Sequence, residues 1–145
     1  MSHAYARNYV HLIFGTKECR PWIRQRERMH ACLAAIAREM GVEVRAIGGT
    51  GDHVHLLMWV PPRMAVANIV RTLKADSSKW MNEEDHLFAW QQGYRAFSVS
   101  VSNLKAVEQY IARQEEHHRK RSYAEEFREF LKKHGIETAS GREME

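Results

Sequence analysis

The residues best suited to chemistry in this sequence are two histidines, His53 and His55, in the run GGTGDHVHLLMWVPP (residues 48–62). The segment HVHLLMWV (53–60) is rich in branched and aromatic residues and lies between a glycine-rich turn and two prolines, which predicts a β-strand. Side chains alternate between the faces of a strand, so both imidazoles share one face and the opposite face is apolar. The apolar face should meet helices, which leaves both histidines on the open face and argues against buried core histidines.

This spacing leaves three interpretations: a metal site, half of another catalytic motif, or two histidines on a sheet whose ring nitrogens are simply hydrogen-bonded. A metal ion would need further ligands. Histidine-triad nucleotide hydrolases use three alternating histidines, but the third position here is Leu57. Two-histidine phosphoesterases use separate His-x-Thr/Ser strands, and this sequence contains no such tripeptide. The neighbouring Asp52 is not predicted to bind a metal itself, but it could hydrogen-bond to a metal-binding histidine and orient it.

A second candidate group follows in SNLKAVEQYIARQEEHHRK (102–120), which predicts a helix over 103–118. A narrow apolar stripe is formed by Leu104, Val107 and Ile111. At the helical repeat of 3.6 residues, a second stripe beside it is formed by Tyr110, Gln114 and His117. If the apolar stripe packs on the open sheet face, the second stripe should lie beside the side chains of that face. A lone tyrosine more often only packs at such an interface.

The elements around these groups follow the order β-α-β-β-α-β. Periodicity and turn residues predict strands at 8–14, 42–47, 53–60 and 93–101, and helices at 22–40 and 65–81. This order is typical of the α+β ferredoxin-like fold, an antiparallel sheet with two helices on one face. Helices at 103–118 and 123–134 follow. We expect a single domain over 1–135 and a flexible tail over 136–145.

Composition excludes several classes of protein. The chain has 145 residues, 44% hydrophobic and 28% charged, which suits one globular domain. Neither a membrane-spanning run nor a signal-peptide apolar segment is found, so we expect a cytoplasmic protein. The two cysteines do not form a disulfide framework. The net charge of +4 is a mild bias toward polyanions.

Together, these motifs resemble a known family. A His-hydrophobic-His strand followed by a helix with Tyr-x-x-x-Gln resembles the single-tyrosine HUH transposases of insertion sequences (insertion sequence 200/605-type) and the REP-associated tyrosine transposases. The resemblance also covers YVHLIFGTK near the start, IVRTLKADSSKWMN, GYRAFSVSV and FLKKHGI. The HVH pair alone would be a weak signal, whereas the pair with Tyr110 and Gln114 in this order is a strong one.

The resemblance implies a chemistry for these residues. His53, His55 and Gln114 would hold a divalent metal, and the hard amide oxygen suits Mg²⁺ or Mn²⁺. Tyr110 would attack a phosphate of single-stranded DNA near a hairpin, giving a 5′-phosphotyrosine and a free 3′-OH. The family also implies a homodimer, with Tyr110 acting in the site of its own chain or of its partner. It further implies association with the nucleoid when the protein is bound to DNA.

Basic and aromatic residues supply candidates for the DNA contacts that the resemblance implies. Backbone contacts are predicted for Arg24, Arg26, Arg28, Lys74, Lys79, Arg119 and Lys120. The indoles predicted either to stack on unpaired bases or to pack in the fold are Trp22, Trp80 and Trp90. On the first strand, His11 is expected to pack rather than to bind metal.

Two other functions remain open from the residues. One is a ferredoxin-like nucleic-acid-binding module without chemistry. The other is a hydrolase in which His53 acts as acid and base and no protein-linked intermediate forms.

Overall fold

The computed structural model describes residues 5–84, 87–114, 123–133 and 135. Its strands are β1 (Tyr9–Gly15), β2 (Glu43–Gly49), β3 (His53–Trp59) and β4 (Arg95–Val99). Its α-helices are α1 (Arg26–Met40), α2 (Val66–Glu84), α3 (Leu104–Ala112) and α4 (Tyr123–Lys133), and short 3₁₀ turns lie at Lys17–Cys19 and Val101–Asn103. The predicted tail, 136–145, lies outside the described residues.

The four strands form one antiparallel sheet in the order β2-β3-β1-β4. The inner strands are therefore β1 and β3, and β2 pairs with β3 through the predicted hairpin. This arrangement confirms the ferredoxin-like prediction. No helix in the described part of the chain is both long enough and apolar enough to cross a membrane.

Two apolar clusters lie on opposite faces of the sheet. The larger one joins alternate residues of β1 and β3 to helices α1 and α2, and its β3 members are Val54, Leu56 and Met58. The smaller one joins Leu57 and Tyr9 to Leu104 and Ile111 of α3. Helix α3 therefore covers the face that the two-layer plan would leave open, as its apolar stripe suggested.

Some predicted boundaries are wrong. The first helix begins at Arg26 instead of residue 22, because the preceding segment turns toward the β2–β3 turn, where the Ile23 N–H donates to the Gly51 carbonyl at 3.0 Å. The helix ends as predicted at Gly41, whose φ of 82° is the left-handed conformation that glycine favours. The helix predicted over 103–118 begins as a 3₁₀ turn, and α3 ends at Ala112 with a turn at Arg113 before Gln114, whereas residues 115–118 of the prediction lie outside the described residues.

Candidate active site

Strand β3 places the two histidines side by side on the face covered by α3. Their ring centroids are 4.9 Å apart. Both His53 and His55 are 0% exposed, so the expectation that they would not be buried was wrong. The alternation of faces was correct. The burial comes from α3, which lies some 50 residues downstream and seals that face.

His53 is oriented by the turn that precedes β3. Asp52 lies just outside the strand, so its carboxylate can fold back, and its Oδ1 is 2.7 Å from Nδ1 of His53. The Thr50 hydroxyl donates to the same carboxylate oxygen at 2.9 Å and lies 3.1 Å from Nδ1. Because a carboxylate only accepts, Nδ1 of His53 carries a proton. In a neutral ring, Nε2 then holds the lone pair that could bind a metal.

His55 is oriented by a residue of the neighbouring strand. His11 is 2% exposed, and its Nε2 lies 2.8 Å from Nδ1 of His55. In the β1–β3 register His11 is opposite Leu57, so His55 is its diagonal neighbour, within reach of a long side chain. The sequence predicted packing for His11 and did not identify this contact. Its only signal was a histidine at an alternating position of the first strand.

Helix α3 and the turn that follows it bring the tyrosine and the glutamine to the histidines. The Tyr110 ring centroid lies 5.9 Å from that of His55 and 6.2 Å from that of His11. Gln114 is 1% exposed, and its Oε1 lies 3.3 Å from Nε2 of His53. The Gln114 amide nitrogen donates to the Tyr110 carbonyl at 3.3 Å, which fixes which end of the amide faces His53. His117, on the same predicted stripe, lies outside the described residues.

The donor atoms of this cluster suit a cation. In its neutral form, with the proton on Nδ1, His53 would turn an Nε2 lone pair toward Gln114 Oε1, which has only lone pairs to offer. Two acceptors 3.3 Å apart are stabilised by a positive ion that both can bind. Within the described residues, no group of three His, Cys, Asp or Glu side chains could hold a metal. A metal site here therefore depends on the amide of Gln114.

Glycine lets α3 approach β2 this closely. A Cβ on Gly48 would lie 2.3 Å from the carbonyl oxygen of Ile111, so any larger residue would displace the end of α3. The sequence indicated a turn at Gly48, but the residue lies within β2. Its role is to bring α3, which bears Tyr110 and is followed by Gln114, onto the sheet.

A small cavity of about 200 Å³ lies behind Gln114 and is also lined by Arg26 and His30 of α1. The Nε2 of His30 is buried without a hydrogen-bond partner. Burial lowers the pKa of His30, and the charge of Arg26 lowers it further. Arg26, one of the predicted DNA contacts, is thus beside the candidate site, and His30 is a neighbour that the sequence did not single out.

The other predicted DNA contacts lie elsewhere. Arg24 and Arg28 are exposed at the start of the α1 region, and Lys79 is exposed on α2. Lys74 is half-buried and donates to the carbonyls of Gln91, at 2.8 Å, and Gly93, which indicates that it stabilises a loop. Burial lowers its pKa, and the nearby Arg95 adds to that effect. Arg119 and Lys120 lie outside the described residues.

The sheet, the paired histidines and the tyrosine helix together define a ferredoxin-like domain with a single-tyrosine HUH arrangement. The family model of IS200-like transposases matches residues 4–114, and the chain belongs to this family. The ISDra2 transposase TnpA of Deinococcus radiodurans is 30% identical over 90 residues, which cover 57% of this chain and 64% of that protein. The IS200 transposase of Salmonella typhimurium is 26% identical over 124 residues, which cover 79% and 81%. This chain therefore spans just under two thirds of the first relative.

Two solved structures have similar folds. One is a candidate transposase from Deinococcus radiodurans, with a TM-score of 0.63 and 26% identity over 79% of this chain and 96% of that one. The other is a REP-associated tyrosine transposase bound to a REP hairpin, also with a TM-score of 0.63, at 12% identity over 81% of this chain and 73% of that one. The second likeness concerns the fold alone.

Proposed function

We propose that this protein is a metal-assisted endonuclease and strand transferase that cleaves and rejoins single-stranded DNA beside hairpins. The observation that carries the proposal is that Tyr110 lies against a buried cluster of His53, His55 and Gln114 within one chain. Membership in the IS200-like transposase family supports the same conclusion.

In this proposal His53, His55 and Gln114 hold Mg²⁺ or Mn²⁺, which supplies positive charge to the scissile phosphate when bound. Asp52 and Thr50 hold the ring of His53, and His11 holds the ring of His55, so both imidazoles are oriented before a ligand arrives. The burial of the cluster excludes most water, which strengthens every electrostatic interaction there.

The nucleophile in this proposal is the phenolic oxygen of Tyr110. It forms a bond to phosphorus and releases its proton to solvent, while the bond from phosphorus to the 3′ oxygen breaks. That oxygen leaves with the electron pair, takes a proton and becomes a free 3′-OH. The product is a 5′-phosphotyrosine, a diester that conserves the bond energy. A 3′-OH can therefore attack it in the reverse direction and rejoin DNA without ATP.

The proposed substrate is a single strand that carries a hairpin. A solved protein of the same fold is bound to a REP hairpin. Exposed cations of this chain, Arg24 and Lys79 among them, would contact the phosphates.

The test is a covalent adduct between protein and DNA. We would incubate the protein with Mn²⁺ and candidate hairpin-forming oligonucleotides chosen from the DNA around its gene, and resolve the products on a denaturing gel. Wild type should give a shifted protein–DNA band, and Tyr110→Phe should abolish it because the attacking oxygen is missing. The control Tyr5→Phe, at a tyrosine that is 96% exposed, should leave the band unchanged.

Each alternative gives a different result. An adduct that persists in Tyr110→Phe would overturn the assignment of the nucleophile. Cleavage products without any adduct would support a hydrolase in which His53 is the acid and base. Binding without cleavage, for every oligonucleotide and metal, would support the non-catalytic binding module.

A further inference from the structure

A cavity of about 380 Å³ opens where α1 begins and α2 ends, away from the face that α3 covers. It lies at the lower end of the size range of small-ligand sites. Two indoles, Trp22 and Trp80, line it together with the arginines Arg24 and Arg28. The remaining lining residues are Gln25, Met81 and Glu84. The candidate active site lies on the other face and contributes none of these residues.

The indoles of this cavity differ from the other two in the chain. Trp90 packs edge-on against Phe14, with ring centroids 4.7 Å apart, and its N–H donates to Ser77 at 2.9 Å. The N–H of Trp59 donates to the Ala6 carbonyl at 2.8 Å. By contrast, neither Trp22 nor Trp80 donates its N–H to any protein group in the described part of the chain. The fold therefore uses the polar ends of Trp59 and Trp90, whereas those of the two cavity indoles have no acceptor among the described residues.

Arginine adds positive charge directly above one indole. The Arg28 guanidinium carbon lies 5.2 Å from the centroid of the Trp80 ring. Gln25 and Glu84 hold that guanidinium by hydrogen bonds of 3.0 Å each. Trp22 has a comparable arrangement with Arg20, at 5.7 Å. Flat aromatic surfaces with arginines beside them are what a single-stranded nucleic acid needs, because bases stack on the rings and phosphates pair with the cations.

The cavity lies at the same end of the sheet as His53. Its residues Trp22 and Arg24 flank Ile23, whose N–H donates to the Gly51 carbonyl in the β2–β3 turn at 3.0 Å. That turn also holds Asp52, the partner of His53. A strand bound at the candidate active site can therefore continue around this end of the sheet toward the cavity.

We propose that this cavity binds an unpaired nucleobase of single-stranded DNA, with the base against Trp80 and Trp22 and its neighbouring phosphates on Arg24 and Arg28. The choice of DNA rests on the proposed function, whereas the base pocket itself rests on the indoles and arginines. Trp80 is the residue to test, because it lies outside the core clusters, whereas Trp22 packs against the larger one.

The test separates bases from phosphates. Binding would be measured by fluorescence anisotropy, in a Tyr110→Phe background that prevents covalent capture, to two labelled probes of equal length. One probe is oligothymidylate, and the other is the same sugar–phosphate chain without bases. Stacking on an aromatic side chain is worth about 1–3 kcal/mol per base. Trp80→Ala should therefore weaken oligothymidylate binding about 5- to 150-fold and leave the abasic chain nearly unaffected.

Two further variants complete the test. Arg28→Gln should weaken the binding of both probes, because both carry phosphates, whereas Tyr5→Ala, which removes an exposed aromatic ring elsewhere, should change neither. The proposal is overturned if Trp80→Ala leaves oligothymidylate binding unchanged, or if it weakens both probes equally.

The outcome is independent of the adduct assay. If the protein prefers oligothymidylate to the abasic chain through Trp80 but never forms an adduct, the base pocket is supported and the proposed chemistry is refuted. If the adduct forms through Tyr110 but Trp80→Ala binds oligothymidylate normally, the chemistry is supported and the base pocket is refuted.

Discussion

At the scale of single residues, the two imidazoles of the site are positioned by different means. His53 is held by a carboxylate and a hydroxyl of its own turn, whereas His55 is held by another imidazole, His11. A neutral histidine that binds metal through Nε2 must carry its proton on Nδ1, and such a proton is stabilised by an acceptor. We infer that His11 positions His55 by accepting this proton.

This role predicts a loss of metal affinity when His11 is replaced. His11→Leu should weaken Mn²⁺ binding about 10- to 100-fold, the usual cost of removing the partner of a metal-binding histidine. His11→Gln should recover part of that affinity, because the end of its side chain can occupy the place of Nε2. The affinities are measured by titration calorimetry on the protein without DNA, and His55→Ala serves as the reference for a lost ligand. Equal Mn²⁺ affinity of wild type and His11→Leu would show that His11 only packs.

At the scale of elements, the site depends on how closely α3 lies on β2. Gly48→Ala would place a Cβ 2.3 Å from the Ile111 carbonyl oxygen, whereas a Cβ on Gly51 would meet nothing nearer than 3.5 Å. We expect Gly48→Ala to lower the free energy of unfolding by about 1–3 kcal/mol, as overpacking does, and to abolish adduct formation. Gly51→Ala should change neither quantity. Urea denaturation and the adduct assay measure the two effects, and normal adduct formation by Gly48→Ala would show that α3 can shift without harm.

Two lysines of α2 should separate structural from DNA-binding roles. Lys74→Met removes an ammonium bonded to two loop carbonyls, and should cost about 1.5–3 kcal/mol of unfolding free energy, the usual value for a hydrogen bond to a charged group. Lys79→Gln, at an exposed position, should leave stability unchanged. It should reduce the slope of log binding constant against log salt concentration by about 1, the value of one phosphate contact. Urea denaturation measures the stabilities, and fluorescence anisotropy at several salt concentrations measures DNA binding. If Lys79→Gln lowered stability and Lys74→Met lowered only the salt dependence, the two roles would be exchanged.

At the scale of the whole molecule, the question is whether one chain or two make the site. Helix α3 packs on the sheet of its own chain through Leu104 and Ile111, which places Tyr110 beside its own His55. We therefore expect a mixture of Tyr110→Phe and His53→Ala proteins to form no adduct, because neither chain holds a complete site. Adduct formation by the mixture would show that Tyr110 acts in the partner's site. Light scattering of the wild type tests the predicted homodimer separately, since two complete sites can also exist in one dimer.

The sequence alone was sufficient for what depends on local periodicity. Alternation along β3 placed His53 and His55 on one face, and the helical repeat placed Tyr110 beside Gln114. The order of strands and helices gave the ferredoxin-like fold. The order of these motifs also led to the transposase family that the comparisons confirmed. The shared faces and the fold follow from backbone geometry and chain order, and the family follows from the resemblance of the motifs to known ones, so no knowledge of tertiary contacts was needed.

Only the tertiary structure decided what depends on pairing between distant segments. The β1–β3 register brings His11 to His55, and the docking of α3 buries His53 and His55. The hydrogen bond from Ile23 to Gly51 moves the start of α1 to a later residue. The same long-range packing separates Trp90, packed against the core, from Trp80, at the cavity. The physical reason is that a strand or helix fixes only the direction of its own side chains. What those side chains meet is set by elements far away in the chain.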